Sequence, residues 1–310
     1  MIENSISTIK KKRGIRIKQW PLHLLLIPSI LLAIVFYYVP MAGNIIAFQN
    51  FVPAKGLFGE QKWVGLDNFK FLFILPDSFL VIRNTVLIAS LKIIFGALIP
   101  ICISLMLNEV RQKLLKRSIQ TLIYLPYFLS WVIFGGILMD LMSPSEGIIN
   151  KLIMMLGFTP VYFLGEPVIF PFVMVATDIW KTFGFSTIIY LAAITSIDPS
   201  LYEAASIDGA KRLQRVWHIT LSGIKPTIIL LATLSLGSIL NAGFEQILTM
   251  YNPLVYSTGD IIDTFVYRMA MKNAQYSLAT AVGLFKSVIS FILISLSYYL
   301  AVRFADYTIF

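Results

Sequence analysis

Six stretches of this 310-residue chain stay apolar for about twenty residues or more, the length a helix needs to cross the hydrocarbon of a bilayer. They lie at about 21–41, 79–107, 119–141, 167–197, 224–247 and 278–302. A water-soluble fold has no place for so much apolar chain. Hydrophobic residues make up 57% of the sequence and charged residues 13%, about half the charged fraction of a soluble domain. The expected fold is all-α and integral to a membrane, with about six transmembrane helices. No polar stretch is long enough to bury a core of its own. The chain thus divides into a basic tail at 1–20, one six-span domain at 21–303 and a short tail at 304–310.

Charge placement orients these spans. Lys10, Lys11, Lys12, Arg13, Arg16 and Lys18 precede the first run, and Arg111, Lys113, Lys116 and Arg117 follow the second. A polar island at 198–223 follows the fourth, while the three opposite loops mix acids with bases. Lys and Arg concentrate in cytoplasmic loops, which places both termini and the island in the cytoplasm, beside lipid head groups. Nucleic acid is a poor partner, because no basic fold presents the tail cluster. The tail is too long, and the run after it too well anchored, for a cleaved signal. Cys102, the sole cysteine, lies in an apolar run and leaves no disulfide or Cys-based metal site within one chain. The loop at 42–77 is expected to build a small external structure, and the apolar centre of 142–166 a short interfacial helix.

The polar island has two helix-like halves. Ser200 to Glu203 has capping-box spacing, and Asp198-Pro199 offers an alternative cap with proline at the first helical position. Gly209 is a plausible break. In the second half Leu213, Val216, Trp217 and Thr220 recur at helical spacing between Lys211, Arg212 and Arg215.

The island resembles the EAA loop of permease subunits of bacterial ATP-binding-cassette importers. That pattern is Glu-Ala-Ala, three residues, Gly, nine residues, Ile-x-Leu-Pro. Glu203, Ala204, Ala205, Gly209, Ile219 and Leu221 fall in register, and Ser222 stands where the pattern has proline, with Pro226 four residues on. The end of the second short helix is left open by that departure. Tyr37 to Pro40, Tyr124 to Pro126, Asn241 to Gln246, Asp263 to Arg268 and Ala281 to Phe285 are similar to carbohydrate permeases, most of all those for complex oligosaccharides or polysaccharide fragments.

The resemblance implies half of a translocation path in a bacterial plasma membrane. A second, different permease would supply the other half, two ATPase subunits would hold ATP and Mg, and an extracellular binding protein would deliver the carbohydrate. The chain has no Gly-x-x-x-x-Gly-Lys-Ser/Thr loop, so any ATP is hydrolysed by another polypeptide. Neither an enzymatic role nor a bound cofactor is expected for this chain, and His218 has no metal-ligand partners at suitable spacing. The loop would dock on the ATPase through Glu203, Ala204, Ala205, Asp208 and Gly209. Arg212 and Arg215 would meet acids there or sit in solvent near anionic lipid.

Polar side chains inside the spans are the leads for a substrate path, because ionisable groups there face a bundle interior or a cavity. Lys92, Asp178, Lys181, Glu245 and Lys286 qualify. Asp178 and Lys181, three apart, form a structural ion pair or contact substrate. Asn241 and Glu245, four apart in the outer half of the fifth span, with Gln246 adjacent, hydrogen-bond sugar hydroxyls or pack helix to helix. Trp180, Phe183, Phe244 and Tyr267 are candidate stacking surfaces for sugar rings. The lysines raise the possibility of a carboxylate-bearing sugar. The rival is a self-sufficient secondary transporter or channel, which inverted repeats with mid-membrane helix breaks would support; the sequence shows none. A peptide or phosphonate importer and a membrane enzyme are weaker rivals.

Overall fold

The computed structural model describes residues 20–237 and 239–305. The basic tail before Trp20 and the end after Ala305 lie outside the described residues. The chain falls into two compact units, one ending at Ile45 and the other beginning at Ile46.

In the first unit, α1 (Trp20–Ala33) continues through a π turn (Ile34–Tyr38) and a last helical turn (Val39–Met41). Its apolar residues are almost all exposed.

The second unit opens with a small antiparallel pair, β1 (Gln49–Asn50) and β2 (Lys62–Trp63), in the register Gln49↔Trp63 and Asn50↔Lys62. The Asn68 amide donates to the carbonyls of Ala47 (2.8 Å) and Gln49 (3.1 Å), tying this pair to α2 (Asp67–Ile74). The segment 42–77 thus folds as a small element of its own. The second span is α3 (Pro76–Glu109) and the fourth α7 (Phe170–Thr195), each close to its expected bounds. The sixth is α11 (Tyr276–Ala305), and the expected helix in the 142–166 loop is α6 (Ile148–Met155).

Two spans depart from the simple expectation. The third is broken: α4 (Lys113–Tyr124) passes through a 3-10 turn at Leu125–Phe128, and α5 (Trp131–Leu141) leaves at 106°. Pro126 brings no amide hydrogen to the turn, and Leu129 and Ser130 are extended before Ser130 caps α5. The fifth span is one helix over Arg212–Gly237, α9, which stops short of its expected end. Residues 239–243 are not helical, Gly243 has a φ of 97° that only glycine adopts readily, and α10 (Phe244–Met250) follows.

The core lies where α3 and α7 pack together. Ile88, Phe134, Leu138, Phe170, Met174 and Ile247 form its main cluster. Tyr190, Ile194 and Ile224 form a second nearer the other end of α7. Hydroxyls inside these helices bond back to carbonyls one turn earlier, as Thr177 does to Val173 and Thr187 to Phe183, both at 2.7 Å. That removes the desolvation cost of burying them.

Candidate functional site

The polar island folds as a capped helix joined to the foot of a span. The Asp198 carboxylate accepts the Ser200 amide at 2.9 Å and Pro199 takes the first helical position, so the cap is Asp198 and not Ser200. That hydrogen bond holds the Asp198 carboxyl below its ordinary range. The helix α8 (Pro199–Ile207) ends at Gly209, whose φ is 75°, with the Ala210 amide returning to the Ala205 carbonyl at 2.9 Å. This is a glycine stop of the Schellman type.

The second half starts at Lys211, whose amide is accepted by the Gln214 side chain at 2.7 Å. It is not a separate short helix. A π turn at Val216–Thr220 carries it directly into Leu221–Gly237, because Ser222 breaks nothing where the family pattern has proline. Two side-chain bonds tie the halves together: Tyr202 Oη to Thr220 Oγ1 (3.0 Å) and Arg215 Nη1 to Ser206 Oγ (2.8 Å). Arg212 pairs with Glu109 at 2.7 Å. Both arginines thus have contacts within the chain. Glu203, Ala204 and Asp208 are exposed, and Glu203 has no side-chain partner among the described residues.

At the break in the fifth span the polar residues converge. Lys92 on α3 donates to the Ala242 carbonyl (2.8 Å), to Asp178 on α7 (3.2 Å) and to the Gln246 amide oxygen. Gln246, fully buried, donates in turn to Met174 O and Thr177 Oγ1, both at 2.8 Å. A Cβ on Gly243 would lie 2.6 Å from Lys92 Nζ, so glycine here serves both the left-handed turn and the lysine. Beside this network is a cavity of about 250 Å³, lined by Lys92, Asp178, Thr182, Ser186, Asn241 and Gly243.

These contacts revise two expectations and give Lys286 its partners. Asp178 pairs with Lys92 and not with Lys181, three residues away on its own helix. Asn241 and Glu245 do not share a helical face, because α9 has ended before Asn241; Glu245 begins α10, exposed. Lys286 is held by Asp263 (2.5 Å) and Asn241 (2.6 Å). Sequence reasoning passed over Asp263 as a pairing partner, together with Thr177 and the Ala242 carbonyl. A backbone carbonyl freed by a helix break carries no mark in its side chain.

Lys181 has a different partner. It donates to the Tyr127 carbonyl at 3.0 Å, an acceptor freed by the bend in the third span, with its ammonium 5.3 Å from the Trp131 ring centre and 5.6 Å from that of Tyr127. No carboxylate forms an ion pair with it among the described residues. Trp180, half-exposed, meets Phe134 at 5.4 Å, and Phe244 meets Tyr267 at 5.9 Å.

Broken spans around a polar cluster, with a capped loop continuous with one of them, define a multi-span helical membrane protein. The chain belongs to the family described as binding-protein-dependent transport system inner membrane component, whose model matches residues 92–306. It is similar to LplB of Bacillus subtilis (strain 168), 47% identical over 91% of this chain and 89% of that protein. YteP of the same organism, a polygalacturonan/rhamnogalacturonan transport system permease protein, is 42% identical over 94% and 90%. A chain in the crystal structure of a bacterial alginate ABC transporter, in complex with an alginate pentasaccharide-bound periplasmic protein, superposes with a TM-score of 0.86. It is 38% identical, over 94% of this chain and 97% of that one. The resemblance to an ATP-binding-cassette importer permease therefore holds. The helix breaks, which a secondary transporter would share, belong here to an importer permease.

Proposed function

We propose that this chain forms half of the translocation path of an ATP-driven importer for acidic oligosaccharides or polysaccharide fragments. The observation that carries the reading is the helix Arg212–Gly237, which joins the coupling loop to the polar break without interruption. Its 26 residues make a rod of roughly 39 Å. A loop gripped by an ATPase subunit at Glu203, Ala204, Ala205, Asp208 and Gly209 would transmit its displacement to Asn241–Gly243 and the Lys92–Asp178 pair. ATP drives this only through its different affinity for the inward- and outward-open states. ATP and Mg are held by two separate ATPase subunits, and the chain itself is not catalytic. A second, different permease completes the path, a binding protein delivers solute on the far side, and both termini lie in the cytoplasm.

Solute class follows from the relatives and from charge. YteP is named for polygalacturonan and rhamnogalacturonan, and alginate is called an acidic polysaccharide in a second solved structure. Within this chain Lys92 and Lys286 are neutralised by Asp178 and Asp263. Lys181 forms no ion pair among the described residues and is the residue we assign to substrate carboxylates. Asn241, Glu245 and the Trp180, Phe244 and Tyr267 rings serve hydroxyls and sugar faces.

The test is ATP hydrolysis by the reconstituted assembly, with partner permease, ATPase subunits and binding protein, screened against neutral and acidic oligosaccharides. Acidic oligomers should stimulate hydrolysis. Glu203→Ala combined with Gly209→Pro should abolish the stimulation while assembly persists, and Lys181→Met should narrow the preference for acidic over neutral chains. Transport by this chain alone, indifferent to ATP and to the loop variant, would overturn the reading.

A further inference from the structure

The Glu109 end of α3 and the coupling loop enclose a cleft of about 720 Å³ that lies apart from the polar break. Its walls differ in chemistry. Leu105 and Met106 on α3, with Leu213 and Val216 on α9, form an apolar side, and Met106 and Leu213 are largely exposed. Arg111, Arg212 and Arg215 supply the other side. Glu109 is the sole carboxylate in the lining, and its pairing with Arg212 leaves two guanidiniums uncancelled. Arg111 has no side-chain partner among the described residues, and the Arg215 guanidinium donates to the Ser206 hydroxyl.

Guanidinium forks match phosphate oxygens geometrically. A free phosphate would satisfy them but leave the leucine and methionine wall wet. The occupant that covers both walls carries a phosphate and a hydrocarbon chain together. The cleft also sits where apolar α3 gives way to polar chain, the level of lipid head groups. We propose that this cleft binds one anionic phospholipid of the cytoplasmic leaflet, its phosphate on Arg111 and Arg215 and an acyl chain along Leu105 and Met106. The lipid would brace the coupling loop against the second span. The proposal rests on the cytoplasmic placement of the loop and is independent of the solute transported.

The test is lipid retention by the purified importer complex in native mass spectrometry, titrated with phosphatidylglycerol or with phosphatidylcholine. One phosphatidylglycerol per copy of this chain should persist at concentrations where phosphatidylcholine is lost. Arg111→Gln should weaken retention about fivefold, the effect of one basic residue near a membrane surface. Glu109→Gln, which frees Arg212, should strengthen it, a direction that misfolding cannot produce. Equal retention of the two lipids, or no response to either variant, would overturn the proposal. Displacement of the lipid by millimolar glycerol phosphate would reassign the cleft to a soluble anion. Loss of the lipid whenever the ATPase subunits are bound would reassign the arginines to that partner. Labelling of single cysteines in the loop from each side of the membrane checks the topology separately.

Discussion

Lys92→Met should be among the most destabilising single changes in this chain, and the structure says why. Lys92 is nearly buried and cancels the charge of Asp178, which has no other side-chain partner among the described residues. It also satisfies the Ala242 carbonyl at the break and the Gln246 amide oxygen. Removing one partner of a buried ion pair costs about 3–5 kcal/mol, since the other is left charged and unpaired. Each carbonyl stripped of its donor adds about 1–3 kcal/mol where water cannot replace it. Asp178→Leu in the Lys92→Met background removes the stranded charge but not the stranded carbonyls. The double variant should therefore be more stable than Lys92→Met alone by about 2 kcal/mol, a sign reversal that independent sites cannot give. The assay is reversible denaturation in mixed micelles for the four members of the cycle. Additivity within about 0.5 kcal/mol would refute the assignment of these residues to one network.

Other changes test neighbouring parts of the argument. Gly243→Ala should cost about 2 kcal/mol or more in the same assay, because it combines a left-handed non-glycine residue with a clash at Lys92; a neutral result would mean the break is not held by that contact. Gly209→Ala has open space around its new methyl and should cost only about 1–2 kcal/mol in the same assay; a larger loss would mean the turn is packed against a neighbour. Glu203→Ala should leave unfolding unchanged while reducing stimulated hydrolysis, and a loss of stability instead would assign Glu203 to the fold of the loop. The Asp198 cap should be pH-dependent. Its carboxyl is held below the ordinary value of 3.8, so its stabilisation is complete above that value and is lost as pH falls through the lower folded value. Hydrogen exchange over 199–207 should accelerate selectively in acid, and a flat profile would contradict the cap.

Much of this protein follows from local pattern. Apolar length alone marks the spans, because a helix crossing hydrocarbon must satisfy its own backbone whatever its neighbours are. The coupling loop was legible for a related reason. Asp198-Pro199 as a cap and Gly209 as a stop act through adjacent backbone, so their signals sit next to their effects in the chain. Choosing between Asp198 and Ser200 as the cap needed only one distance, 2.9 Å to the Ser200 amide.

What tertiary structure decided is which charge meets which. Asp178 and Lys181 lie three residues apart on one helix, yet each is taken by another element: Asp178 by Lys92 of the second span, Lys181 by a carbonyl freed in the bend of the third. Gly184 permits that bend to approach, since a Cβ there would run into the Ile123 carbonyl. The break before Gly243 was hidden likewise, because the Ala242 carbonyl it leaves free is taken by a lysine of another span. Sequence spacing governs contacts along one helix. In a membrane interior, where no water satisfies a stranded charge or carbonyl, pairing between helices outweighs it.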